Sequence, residues 1–250
     1  MWEQLNLHET KVIPAPVEPP PKAEGVLENQ TPAKHGETRL ILGVAMLAIL
    51  FYLETSALKF FRVSQETYGI FWLRRNWLYA HVLAGTLAIL IGPVQFWPGV
   101  KQGYPGLHRV LGIFYVSSAG VGGAAAFYLA FHTDFGWMFS MGLGSMATAW
   151  MISTGMATVA IYRRMITQHR EWMVRSYVLT FGFVLLRLTT GILDIINVGS
   201  ISERFIFSSW ISWAVPLMIT ETLLQGRKVF AKKPRTGEDG GKQDDSTESS

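Results

Sequence analysis

Five side chains that carry or can acquire charge fall inside long apolar runs or just within their ends: Glu54, His81, Arg187, Asp194 and Glu221. On insertion scales a charge at the bilayer centre costs about 2.5–3.5 kcal/mol, so each needs a partner, a wet cavity or a chemical task. The run after residue 169 is the most informative. At about 100° per residue, with His169 as zero, Ser176 falls near −20°, Thr180 near +20°, Arg187 near 0°, Thr190 near −60° and Asp194 near −20°. One helix face is then polar from end to end, and lipid would leave its groups unsatisfied. The expectation is a buried polar network of Glu54, Thr180, Asp194 and Glu221 in two layers, with Glu54, His81 and Asp194 near Arg187 toward one face and Glu221 with His108 and His169 toward the other. The anion held by Arg187 would be Glu54, Asp194 or something bound. Arg175 lies off this face, near an end, where a long side chain can snorkel to water.

His81, His108 and His169 each lie near the N-terminal end of an apolar run. The positive end of the helix dipole disfavours imidazolium, which leaves the neutral ring that a metal ligand or a general base requires. With Arg175 and Arg187 they form a candidate cofactor-binding set, the arginines suited to haem propionates or a quinone oxygen. The competing reading is a set of interfacial histidines bonded to water or headgroups. From His81, the residues Ala84, Gly85, Ala88, Gly92 and Gln95 share a face, and from His108 so do Gly112, Tyr115, Ala119, Gly122 and Ala126. Small residues at this spacing let helices approach closely or leave room for a flat ligand.

Membrane helices must position these groups. The 250 residues are 49% hydrophobic and 16% charged, with mean hydropathy +0.24, greasier than a soluble domain, for which about 25% charged is ordinary. Six apolar stretches, at 40–58, 77–97, 110–131, 137–161, 172–196 and 205–224, approach the roughly 20 residues a crossing helix needs. The expected fold is an all-α integral membrane bundle of six spans over 39–226. Pro-rich residues 1–38, which carry no apolar segment resembling a cleavable signal, and polar residues 227–250 read as disordered tails. Only Lys59, Arg62, Arg74, Arg75 and Arg204 fall on one side, against Lys34, Arg39, Lys101, Arg109, Arg163, Arg164, Arg170, Arg175 and the basic residues of the final tail on the other. The positive-inside rule then places both termini in the cytoplasm. The absence of cysteine excludes disulfides, thiolate metal sites, iron–sulfur clusters and covalent haem attachment. The net charge of +4 follows from this topology and does not point to nucleic acid.

HVLAGTLAILIGPVQF (81–96), LHRVLGIFY (107–115) and HREWMVRSYVLTFGFVLLRL (169–188) together resemble the signature of a bacterial multi-pass family known as domain of unknown function twenty-three-zero-six. The resemblance spans roughly residues 77–188. It implies that His81, His108, His169, Arg175 and Arg187 belong to a motif set, and that the protein sits in a bacterial inner membrane. The family's label supplies no activity. A weaker similarity is to di-haem b-type cytochromes, with His108 and His169 as an axial pair. The second pair lacks a histidine: the fourth span offers only methionines such as Met141, and Met141, Met146, Met151 and Met156 turn about 140° at each step and form no ligand stripe.

Three functions stay open. The first is a membrane redox protein that binds haem b or a quinone between spans two, three and five, with a redox partner or a second copy. The second is a proton-coupled small-molecule transporter resting on the buried charges. The third is an assembly subunit in which Arg187 pins helices. Whether the chain is an enzyme is undecided: P-loop, HExxH and GxSxG patterns are absent. No metal is expected beyond haem iron.

Overall fold

The computed structural model describes residues 43–97, Ala45 excepted, and 103–230. Among these the chain is helical with no strand, and six long helical segments follow one another. Residues 46–52 begin α1, which passes through a π turn at Leu53–Ala57 into a 3-10 turn at Leu58–Phe61. The remaining helices are α2 (Arg75–Phe96), α3 (Pro105–Ala130), α4 (Trp137–Tyr162), α5 (Ile166–Ile195) and α6 (Ile201–Phe230). α6 continues to Phe230, so residues 227–230 are helical; residues 1–38 and 231–250 lie outside the described residues.

Local chemistry sets the boundaries. Pro105 opens α3, where its fixed φ suits a first helical turn and its missing N–H is not needed. Gly136, at φ 87°, turns the chain into α4. A capping box starts α6: the Ser200 backbone N–H donates to Glu203 Oε2 at 2.7 Å, and the Glu203 N–H donates to Ser200 Oγ at 3.3 Å. Between α1 and α2, Ser64 caps the one-turn helix Gln65–Tyr68, and the Tyr68 hydroxyl donates to the Phe60 carbonyl at 2.7 Å, pinning the connection.

Cross-helix contacts fix the directions. His81 meets Gly122 and Gln95 meets His108, so numbers rise on α2 as they fall on α3. The same holds for α4 and α5 through Thr154–Ser176 and Ala157–His169, and for α5 and α6 through Arg175–Glu221 and Asp194–Arg204. Successive helices are antiparallel. One end of the bundle, the first end, carries Arg75, Ala130, Trp137, Ile195 and Ile201; the second carries Phe96, Pro105, Tyr162, Ile166 and Phe230.

The packing is small inside and large outside. Ala84, Ala88, Gly92 and Gln95 are buried on α2, while Leu83, Leu87, Leu90 and Val94 face outward at helical spacing. The facing side of α3 buries Tyr115, Ala119 and Gly122, as the small-residue faces lead one to expect. Where lipid is as apolar as the core, close packing and interhelical hydrogen bonds replace the hydrophobic effect as the associating force. Gly92 shows the tolerance: a Cβ there would overlap the Tyr177 ring of α5. Trp150 of α4 is fully buried in a cluster with Ala88, Tyr115, Ala119 and Leu179. A second cluster joins Ile49, Leu53 and Ala57 of α1 to Val82, Ile89 and Val184.

Three segments, Gln65–Phe96, Pro105–Ala130 and Ile166–Ile195, are long and apolar enough to cross a membrane. α4 has no charged residue in its 26, but its serines, threonines and glycines hold its mean hydropathy down.

Candidate functional site

Four hydroxyls meet in the middle of the bundle. The Tyr115 hydroxyl of α3 lies 2.9 Å from Ser176 Oγ and 3.0 Å from Thr180 Oγ1, both on α5. Ser176 Oγ lies 2.7 Å from Thr154 Oγ1 of α4. Thr154 Oγ1 is also 2.8 Å from the Trp150 carbonyl, and Thr180 Oγ1 is 3.0 Å from the Ser176 carbonyl. All four residues are buried, Ser176 and Tyr115 completely. Five contacts are thus served by four hydroxyl protons. Each hydroxyl can donate once and accept twice, so no single arrangement of protons fills every contact.

Thr180 also lines a cavity of about 10 Å³, with Tyr52 of α1, His81, Val82, Gly85 and Ile89 of α2, and Phe183. That volume suits about one water molecule. The His81 ring is half-buried and meets Phe183 edge-on at 4.9 Å. Its Nδ1 lies 3.0 Å from the Gly122 carbonyl. A carbonyl only accepts, so Nδ1 carries a proton, and in the neutral ring the lone pair is on Nε2. His81, the cavity, Thr180, Tyr115, Ser176 and Thr154 form a polar line shared by α2, α3, α4 and α5.

Two other histidines of the motif set lie toward the second end. His169 donates Nδ1–H to the Ala157 carbonyl at 2.8 Å. His108 is half-buried, and its backbone carbonyl accepts from Gln95 at 3.0 Å.

Neither Glu54 nor Asp194, the two carboxylates expected as partners of Arg187, forms an ion pair with it. Arg187 is exposed on the outside of the bundle, within electrostatic reach of the Tyr52 hydroxyl, and forms no ion pair with any described residue. Asp194 is exposed and bound to Arg204 at 2.8 Å, because the α5–α6 turn brings that arginine back over the helix end. Arg204 also donates to Asn197 and to the Val198 and Gly199 carbonyls. Glu54 is exposed too, two residues from Tyr52, which lines the cavity. Of the expected buried network of Glu54, Thr180, Asp194 and Glu221, only Thr180 is buried in the bundle centre.

Arg175, expected to snorkel or hold a cofactor, is instead 8% exposed and clamped. Its Nη2 and Nε reach Glu221 Oε2 at 2.6 and 2.8 Å, Glu171 lies at 3.9 Å, and the guanidinium stacks over Trp172 at 4.7 Å. Lys228 and Gln225 complete the cluster on Glu171 and Glu221. Glu221 sits on α6 opposite Arg175 and neutralises it, so these groups tie α5 to α6.

Sequence reasoning placed Thr180 and Ser176 on one face but gave no role to Tyr115, Thr154 or Tyr52. A hydroxyl in an apolar helix was the available signal; which hydroxyls meet is a matter of packing. Among the described residues, no three His, Cys, Asp or Glu side chains stand together as a metal site. Haem does not fit beside His81: Phe183 occupies the ring's flank and the open space is water-sized.

No curated protein and no solved structure matches the chain. A family model does match, over residues 78–224, the family described as "Predicted membrane protein (DUF2306)". Every residue of the polar line falls within that range, and Tyr52 at the cavity's edge falls outside it. With more than half of its length matched and long apolar helices carrying the match, the chain belongs to this family of membrane proteins.

Proposed function

We propose that the protein moves protons through the membrane core as a proton-coupled transporter, in a six-crossing bundle with both termini in the cytoplasm. The observation that carries this reading is the buried hydroxyl chain and its junction, at Thr180, with the His81 cavity. The Lys/Arg bias makes the first end the outer one. At about 1.5 Å per residue, with each helix centred in the bilayer, His81 lies roughly 7 Å outside the midplane and Thr180 near it. Tyr115, Thr154 and Ser176 follow roughly 4 to 7 Å on the inner side. The line therefore crosses the part of the membrane where charge transfer is hardest. His81 takes a proton at Nε2, one water in the cavity connects it to Thr180, and the hydroxyls pass it on by exchanging donor and acceptor roles. Proton relays in membrane proteins are built from such intramembrane groups.

The test is proton flux into vesicles that contain the purified chain and a trapped pH dye. Wild-type vesicles should equilibrate an imposed pH step faster than empty ones, and His81→Ala and Thr180→Val should each slow this tenfold or more. Equal rates for wild-type and empty vesicles, with and without a membrane potential, would sink the reading.

One observation favours a redox role at the inner end. The His169 Nδ1–H bond to a backbone carbonyl is the orientation found in metal-bound histidines, so a haem b between His108 and His169 is the second reading. The haem would supply one-electron transfer; His169 would hold it through Nε2, oriented by Ala157. A Soret band in the purified protein that His169→Ala removes would favour it over the transporter, and its absence after haem-supplemented expression would exclude it.

A further inference from the structure

Arg187 stands on a helix apolar and long enough to cross the membrane, yet it is exposed and forms no ion pair or hydrogen bond with the described residues. The two carboxylates expected as its partner do not pair with it: Asp194 belongs to Arg204, and Glu54, exposed on α1, forms no ion pair with a described residue. A guanidinium in such a position needs an anion, and the outside of the bundle offers one from the membrane itself. We propose that Arg187 holds the phosphate of a phospholipid headgroup between α1 and α5.

Depth supports this occupant. The 30 residues of α5 extend about 45 Å, against roughly 30 Å of hydrocarbon. Centred, they place Arg187 about 10 Å from the midplane, some 5 Å below the hydrocarbon edge, where a snorkelling arginine reaches headgroup level. The Asp194–Arg204 pair, about 10 Å further along the helix, marks the interface on the same side. The guanidinium fork matches a phosphate bidentately, which a lysine does not. Tyr52, within electrostatic reach of Arg187 and at the wall of the His81 cavity, ties this lipid site to the polar line. The inference rests on α5 crossing the membrane and is independent of proton movement.

The experiment uses the full chain in a phosphate-free neutral detergent. Phosphatidylglycerol, diacylglycerol with the same acyl chains, and inorganic phosphate are titrated separately while thermal stability and retained lipid are read by melting and native mass spectrometry. Phosphatidylglycerol should raise the melting temperature of wild type and co-purify at one molecule per chain. Arg187→Gln should weaken that binding about tenfold or more, Arg187→Lys should weaken it less, and Arg164→Gln, on an exposed arginine at the other end, should leave it unchanged. An equal response to diacylglycerol would show that the phosphate is not recognised, and an equal response to inorganic phosphate would replace the lipid with a free anion. Either overturns the proposal, as does Arg187→Gln binding like wild type. Should Arg187→Gln fail to fold, loss of the Arg187→Lys difference decides against it.

Discussion

Replacing Tyr115 by Phe removes one oxygen and its proton from the bundle centre and leaves the ring's packing in place. The lost contacts are those to Ser176 at 2.9 Å and Thr180 at 3.0 Å. Interhelical side-chain hydrogen bonds in membranes average about 0.6 kcal/mol and reach about 1.7, so two of them amount to roughly 1–2 kcal/mol. The cost stays at that level because neither partner is orphaned. Ser176 keeps Thr154 at 2.7 Å, and Thr180 keeps the Ser176 carbonyl at 3.0 Å. The variant should therefore insert and fold, with a melting temperature lowered by only a few degrees. Proton flux responds differently, since Tyr115 is the bridge between the Thr180 side of the chain and the Ser176–Thr154 side. With that bridge gone, flux in reconstituted vesicles should fall at least tenfold, or about 1.4 kcal/mol in the barrier. Ser176→Ala, which cuts the next contact, should match it. A vesicle assay in which both variants conduct like wild type, while His81→Ala does not, would refute the relay and leave His81 acting alone. Normal flux in all three would remove the relay and the histidine together.

Other perturbations test the packing and the charge clusters. Gly92→Leu should destabilise by about 1–3 kcal/mol, because the new side chain must displace the Tyr177 ring; thermal unfolding checks this, and Gly226→Leu, at a glycine with open space around it, is the control. Glu221→Gln leaves the buried Arg175 guanidinium without its closest carboxylate. A fully buried pair would cost about 3–5 kcal/mol to break this way; with the Glu221 side chain 42% exposed, solvent screening brings the expectation to about 1–2 kcal/mol. Arg175→Met added to Glu221→Gln should recover part of that loss. At the start of α6, the backbone N–H of Ser200 and then its hydroxyl hold the Glu203 carboxyl below the usual carboxylate range. Its capping contribution is complete above the unfolded carboxyl value, near 4.3, and is lost as pH falls through the lower folded value. Amide exchange at Ser200 and Glu203 should accelerate over that acid window in wild type but show no such dependence in Glu203→Gln.

Much of the architecture was legible because it depends on local properties. Length and hydropathy mark α2, α3 and α5 as crossings, and the small residues at four- and seven-residue spacing mark the faces by which α2 and α3 meet. α4 and α6 were equally visible as long runs, although small polar residues and tryptophans keep them outside the apolar class.

The site was decided elsewhere. Ser176, Thr180 and Arg187 lie within about 20° of one line along α5, yet the first two are buried and the third is exposed. Periodicity fixes the angle of a side chain around its own helix and says nothing of which neighbour stands at that height. α3 and α4 cover the helix at Ser176 and Thr180; at Arg187 the described residues leave it open. Pairing of charges has the same origin. Asp194 and Arg187 are close in sequence and Arg204 lies beyond a turn, but folding back α6 sets Arg204 against Asp194, as it sets Glu221 against Arg175. The sequence by itself determined that polar groups would line these helices, since lipid accepts none of them unpaired. Only the tertiary structure chose the partners, because a partner is defined by distance across helices.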